Sequence, residues 1–181
     1  MEGRFSNENR ATPGEECLGA ARNGARLPRS MGIGWSTHRN DGWRGQFDRT
    51  SRWYERARRA AAAGTPELED FVFAFFQNCY HLREWMLQTG EASHRELADF
   101  FAQHAELRLC RDICNGTKHL NLDSASVDAN FSIGREYAPS EPGHARLFVI
   151  ANAKYDLLDL ATRCMELWRQ FAERPRGEHD A

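Results

Sequence analysis

The residues best suited to chemistry lie in one stretch, Arg108-Leu-Cys-Arg-Asp-Ile-Cys-Asn-Gly-Thr-Lys-His119. On a helix continued to its end, Arg108, Arg111 or Asp112, Asn115 and His119 recur every three or four residues and form one polar stripe. Leu107, Cys110 and Cys114 occupy a neighbouring apolar one. A guanidinium, an amide and an imidazole then point the same way. That set suits an anionic substrate: a guanidinium holds a phosphate bidentately, and an imidazole that titrates near neutrality moves a proton.

Other constellations are weaker. Cys110 and Cys114 stand four apart with His119 nearby, and Cys79-x-His81 sits on a neighbouring helix, so a mixed Cys/His zinc site is conceivable. Structural zinc more often uses tight Cys-x-x-Cys knuckles, and buried thiols are the preferred reading, so no metal or cofactor is expected. His81 would join His119 if the polar stripes of their two helices met; a hydrogen-bonded helix histidine is the simpler reading. The chain has no glycine-rich phosphate loop after a strand, no Gly-x-Ser-x-Gly elbow and no His-Glu-x-x-His pair. Nucleotide-fold enzymes and the common hydrolases are thereby disfavoured.

The elements that must position the stretch are mostly helices. One is expected from Phe47 to Ala63, with Phe47, Tyr54, Ala57 and Ala61 on a shared face and Gly64 and Pro66 ending it. A second starts at Thr65 as N-cap, with Pro66 in its first position, and reaches Gln88. Its apolar residues, Leu68 to Met86, cover most of its circumference and mark it as the central core helix, so its aromatic rings read as core and not as a base-stacking platform. Ser93 and Glu96 fit a capping box, opening a third helix that bends near Gln103 and continues to Asn115.

The period then changes. Val127, Ala129, Phe131 and Ile133 alternate with Asp128, Asn130 and Ser132 as a half-buried strand, and Leu147 to Ile150 reads as its hairpin partner across the turn-rich 138–143. The last helix is expected from Ala153 to Glu173, closed by Pro175. The fold class is therefore mostly α: a four-helix bundle with an inserted β-hairpin before the last helix, residues 46–181, behind an arm of residues 1–45. Eight of the fourteen glycines fall in that arm, whose apolar residues show no period, so it is expected to be flexible or disordered, and Met31 is a candidate start.

The family that these residues resemble is that of the HEPN domains. An Arg followed by a polar residue and then by His, here Arg111, Asp112 and His119, late in a small helical bundle spanning about 66–174, is the likeness. Many HEPN proteins are RNA-cleaving toxins or nucleotide-binding partners of nucleotidyltransferases. The resemblance implies metal-independent cleavage of single-stranded RNA in which His119 assists proton transfer, Arg111 stabilises phosphate charge and Asn115 orients one of them. Arg108 and Lys118 are the candidate substrate-binding cations, and a homodimer that pairs two motifs is implied.

A blander reading fits the same residues. Asn115-Gly116 makes a good helix end, Lys118 and His119 favour its negative pole, and Arg111 and Asp112 are then surface or helix-pairing charges. The chain would be a catalytically silent module with a protein partner. Global charge does not decide, because 24 bases against 26 acids leave a net charge of −2. The charge is uneven: residues 1–64 carry twelve arginines against seven acids, and residues 65–181 twelve bases against nineteen acids, so the halves could attract each other or a second copy. No apolar run approaches the roughly 18 residues of a membrane span and no signal pattern opens the chain, which leaves the cytoplasm as the expected location and a membrane an unexpected partner. Five cysteines, an odd number, agree with reduced thiols there.

Overall fold

The structure, a computed structural model, describes residues 41–118, 125–137 and 145–174. Among the described residues, five helices and three strands follow in the order α1 (Gly42–Ala63), α2 (Leu68–Gln88), α3 (His94–Gln103), α4 (Ala105–Gly116), β1 (Ser132–Tyr137), β2 (Ala145–Ala151), β3 (Ala153–Asp156) and α5 (Leu157–Glu173). The fold is mostly helical with a small antiparallel sheet before the last helix, as the patterning indicates. Among the described residues, no helix is long and apolar enough to cross a membrane.

Helix α2 is the core. Val72, Phe75, Phe76, Cys79, Leu82 and Met86 are fully buried on it, and it packs against α1, α4 and α5. Burial of that apolar area is the main stabilising term. Helix α1 buries Trp43, Tyr54, Ala57 and Ala60 but also Gln46 and Thr50. Both polar residues are satisfied: Gln46 Nε2 donates to the Asn78 carbonyl at 3.0 Å, and Thr50 Oγ1 to the Gln46 carbonyl at 2.9 Å. The helix begins at Gly42, five residues before the apolar period that signals it, and the remainder of the 1–45 arm, Met31 included, lies outside the described residues.

The turn into α2 differs from expectation. Gly64 takes a left-handed conformation (φ 62°) and closes α1, its N–H reaching the Ala61 carbonyl while the Thr65 N–H reaches Ala60. Thr65 is then committed to the turn, its carbonyl accepting from Leu68 N, so the N-cap of α2 is Glu67, which makes no side-chain cap. The capping box of α3 is present as its sequence indicates, with Ser93 Oγ accepting from Glu96 N and Glu96 Oε2 from Ser93 N. The bend near Gln103 is a full break at His104, whose backbone is extended. Stacking of Phe100 on Phe171, centroids 4.3 Å apart, and the edge of Trp168 hold α3 to α5.

The sheet has the order β1-β2-β3. Its first strand starts at Ser132, not Val127, because the Asp128 carboxylate captures the N–H groups of Asn130 and Asn152 and folds 127–131 into a turn. The chain reverses again at Asn152 (φ 58°), so Ala153–Asp156, expected as the first turn of the last helix, is a strand instead. Asp156 Oδ1 then caps α5 by accepting from Leu158 N and Asp159 N. Strand β2 turns Leu147, Val149 and Ala151 into the core and packs on α5. Residues 138–144, with most of the expected hairpin loop, and Pro175 lie outside the described residues.

Candidate functional site

Helix α4 carries two stripes. Leu107, Cys110, Ile113 and Cys114 are buried, and Arg108, Arg111, Asn115 and Lys118 lie along its outer side. The outer residues divide between two places. Arg108 and Arg111 face an open cleft of about 470 Å³ whose other walls include Tyr80 and Arg83 from α2, Phe101 from α3, and Ser126. The rings of Tyr80 and Phe101 meet edge to face there, with centroids 6.1 Å apart. Neither Asn115 nor Lys118 lines it.

Three guanidiniums thus border one cleft. Among the described residues, Arg83 and Arg108 have no ion-pair partner. Among the described residues the buried Nε of Arg108 finds no hydrogen-bond acceptor, and a buried donor left so costs about 1–3 kcal/mol. Arg111 is held differently. Its Nε lies 3.3 Å from Oδ1 of its neighbour Asp112, and the side chain remains 37% exposed.

Asp112 is 1% exposed, so the reading of it as a surface charge does not hold. Its Oδ2 accepts from both the N–H and the Oγ of Ser126, each at 2.7 Å. The carboxylate therefore fastens the segment after α4 back onto the helix and steers Arg111 along the cleft wall. Among the described residues the cleft has three cations and one carboxylate, a positive surplus that favours an anion.

The other end of the outer stripe meets α2. Lys118 Nζ donates to His81 Nε2 at 3.1 Å, and Gln77 Nε2 to Thr117 Oγ1 at 3.4 Å. Partial burial and the Lys118 ammonium push the His81 imidazole below its ordinary pKa, against a smaller upward pull from Glu84. The ammonium donates, so His81 Nε2 is the acceptor in this contact. The pairing of His81 with His119, and the placement of His119 itself, lie outside the described residues.

Of the Cys/His set weighed for zinc, His119 lies outside the described residues, and among the described ones neither Cys114 nor His81 joins a cluster of possible ligands. Burial raises the Cys114 pKa against the pull of Lys118. What converges instead is Cys79, Cys110 and Cys164. The sequence reading also missed Arg83, Tyr80 and Phe101, which reach the cleft from two other helices. The spacing of Tyr80 and Arg83, one helical turn apart on the edge of the core stripe, was the available signal.

A scan against protein-family models found no match to the chain, and searches of curated proteins and of solved structures found none either.

Proposed function

We propose that the Arg83, Arg108 and Arg111 cleft binds the phosphate of a nucleotide or a single-stranded RNA segment. The unpartnered, buried Nε of Arg108 carries this reading, because it is a donor already desolvated and lacking an acceptor. A phosphate oxygen would satisfy it, with Arg83 and Arg111 neutralising the remaining charge through planar, bidentate contacts. Tyr80, which unlike the core rings of α2 is only half-buried, and Phe101 supply ring surface beside the cations, and a base stacked on such a surface is worth about 1–3 kcal/mol. HEPN-like cleavage is a further step on the same ligand: Arg111 offsets charge on the phosphate, His119 transfers the proton at the 2′-hydroxyl or leaving oxygen, Asn115 orients one of them, and a homodimer pairs two such sites.

The experiment is a pair. Affinity for a labelled single-stranded oligoribonucleotide is compared in wild type and Arg108→Gln, and cellular RNA is incubated with wild type and His119→Ala in EDTA. Binding weakened by Arg108→Gln supports the cleft, and 2′,3′-cyclic phosphate ends made by wild type alone support cleavage. One observation favours the silent module with a protein partner: the Asp112 carboxylate already occupies Arg111. Absence of RNA or nucleotide binding by folded protein would decide for it.

A further inference from the structure

Three of the four described cysteines meet at one point. Cys79 of α2, Cys110 of α4 and Cys164 of α5 are all fully buried, and their sulfur atoms lie within 4.8 Å of one another. They stand 31 and 54 residues apart in the chain, so the meeting is made by helix packing alone. Cys110 Sγ donates to the Phe76 carbonyl at 3.6 Å and Cys164 Sγ to the Glu106 carbonyl at 3.5 Å. The indole N–H of Trp168, on the same helix as Cys164 and fully buried, has no hydrogen-bond partner among the described residues.

We propose that Cys79, Cys110 and Cys164 form a three-sulfur site for a soft, thiophilic ion, and that trivalent arsenic is the species this core accepts. Distance and charge support it separately. With a bond of about 2.3 Å to each sulfur, as zinc makes, and the arsenic lone pair making the centre a trigonal pyramid, the sulfurs stand about 3.5 Å apart, so each side chain moves by about 1 Å. Soft thiolate ligands select soft ions. Charge then narrows the choice: a centre that bonds all three sulfurs as thiolates brings three negative charges into the core, and an uncompensated buried charge is heavily penalised. A monovalent ion would leave two negative charges and a divalent ion one. A trivalent ion leaves none.

The reaction with arsenous acid conserves that neutrality. Each thiol proton leaves with one arsenic-bound hydroxide as water, three As–O bonds break, three As–S bonds form, and no electrons are transferred. The site is independent of the cleft and of any RNA chemistry.

The test uses reduced full-length protein, oxygen-free, with sodium arsenite as the probe. One arsenic per chain should survive desalting of wild type and of Cys114→Ala, and be lost from Cys164→Ala and Cys79→Ala. X-ray absorption at the arsenic edge of the loaded wild type, which needs no variant to fold, should show three sulfur neighbours and no oxygen. Retained oxygen, substoichiometric arsenic in wild type, or undiminished binding by folded Cys164→Ala would overturn the site. Exclusion of arsenite by an equal concentration of zinc would overturn the choice of a trivalent ion.

Discussion

Replacing Asp112 by alanine tests how the cleft is built. The carboxylate receives two bonds of 2.7 Å from Ser126 and one of 3.3 Å from Arg111, and it is almost wholly buried. A hydrogen bond to a charged group contributes about 1.5–3 kcal/mol, so the two short bonds bring roughly 3–6 kcal/mol before relaxation. Ser126 is only half-buried and can turn to water, which places the expected loss near the lower end, about 3 kcal/mol. Urea denaturation should register a midpoint lower by roughly 1.5 M with an unchanged slope. Ser126→Ala removes the hydroxyl bond and keeps the amide one, so it should cost only about 1 kcal/mol. Asp112→Asn, which retains an acceptor of the same shape, should fall between the two. A loss below about 1 kcal/mol for Asp112→Ala would refute the idea that this carboxylate fastens the segment after α4.

Three smaller perturbations probe other parts of the fold. Gly64→Ala places a Cβ at φ 62° and should cost about 1 kcal/mol, read as a lower melting temperature. The Ser93 backbone N–H and the Arg174 guanidinium hold Glu96 at a pKa of about 2, below its ordinary 4.5, so its contribution is complete above pH 4.5 and disappears as pH falls through 2. The stability gap between wild type and Glu96→Gln, followed by denaturant titration, should therefore be widest at neutral pH and close on acidification; a gap that widens in acid would contradict the sign. Lys118→Met removes the ammonium facing His81, and the imidazole pKa should rise in an NMR titration, whereas an unmoved value would show that the contact is not made.

Legibility followed the range of the interactions. The wide apolar face of α2 and the Ser93/Glu96 box are local patterns, and both are present as written. Strand β1 was placed five residues early because the alternation of Val127 to Ile133 is genuine, but Asp128 diverts it into a turn through Asn152, 24 residues away. The strand itself, Ser-Ile-Gly-Arg-Glu-Tyr, is largely exposed and carries no alternation to find. Strand β3 reads as the start of α5 in the sequence because the reversal before it rests on a single residue, Asn152 at φ 58°, with no glycine or proline to mark it. In the cleft, Arg108 and Arg111 were visible as one helical stripe. The one-turn spacing of Tyr80 and Arg83 marks a shared edge of α2, but their meeting with Phe101, Arg108 and Arg111 comes from packing of α2 and α3 against α4, which local spacing does not encode. The three-thiol cluster has the same origin, and its third member, Cys164, lies too far along the chain for any motif to include.

The salt dependence of RNA binding tests the phosphate cleft most directly. For single strands, the logarithm of affinity falls against the logarithm of salt concentration with a slope of about −0.7 for each phosphate neutralised. Arg83→Gln, Arg108→Gln and Arg111→Gln should each make the slope shallower by about 0.7 while weakening binding to every sequence alike. Slopes identical to wild type in all three variants would contradict the account, and would mean that any RNA held by this protein is held elsewhere.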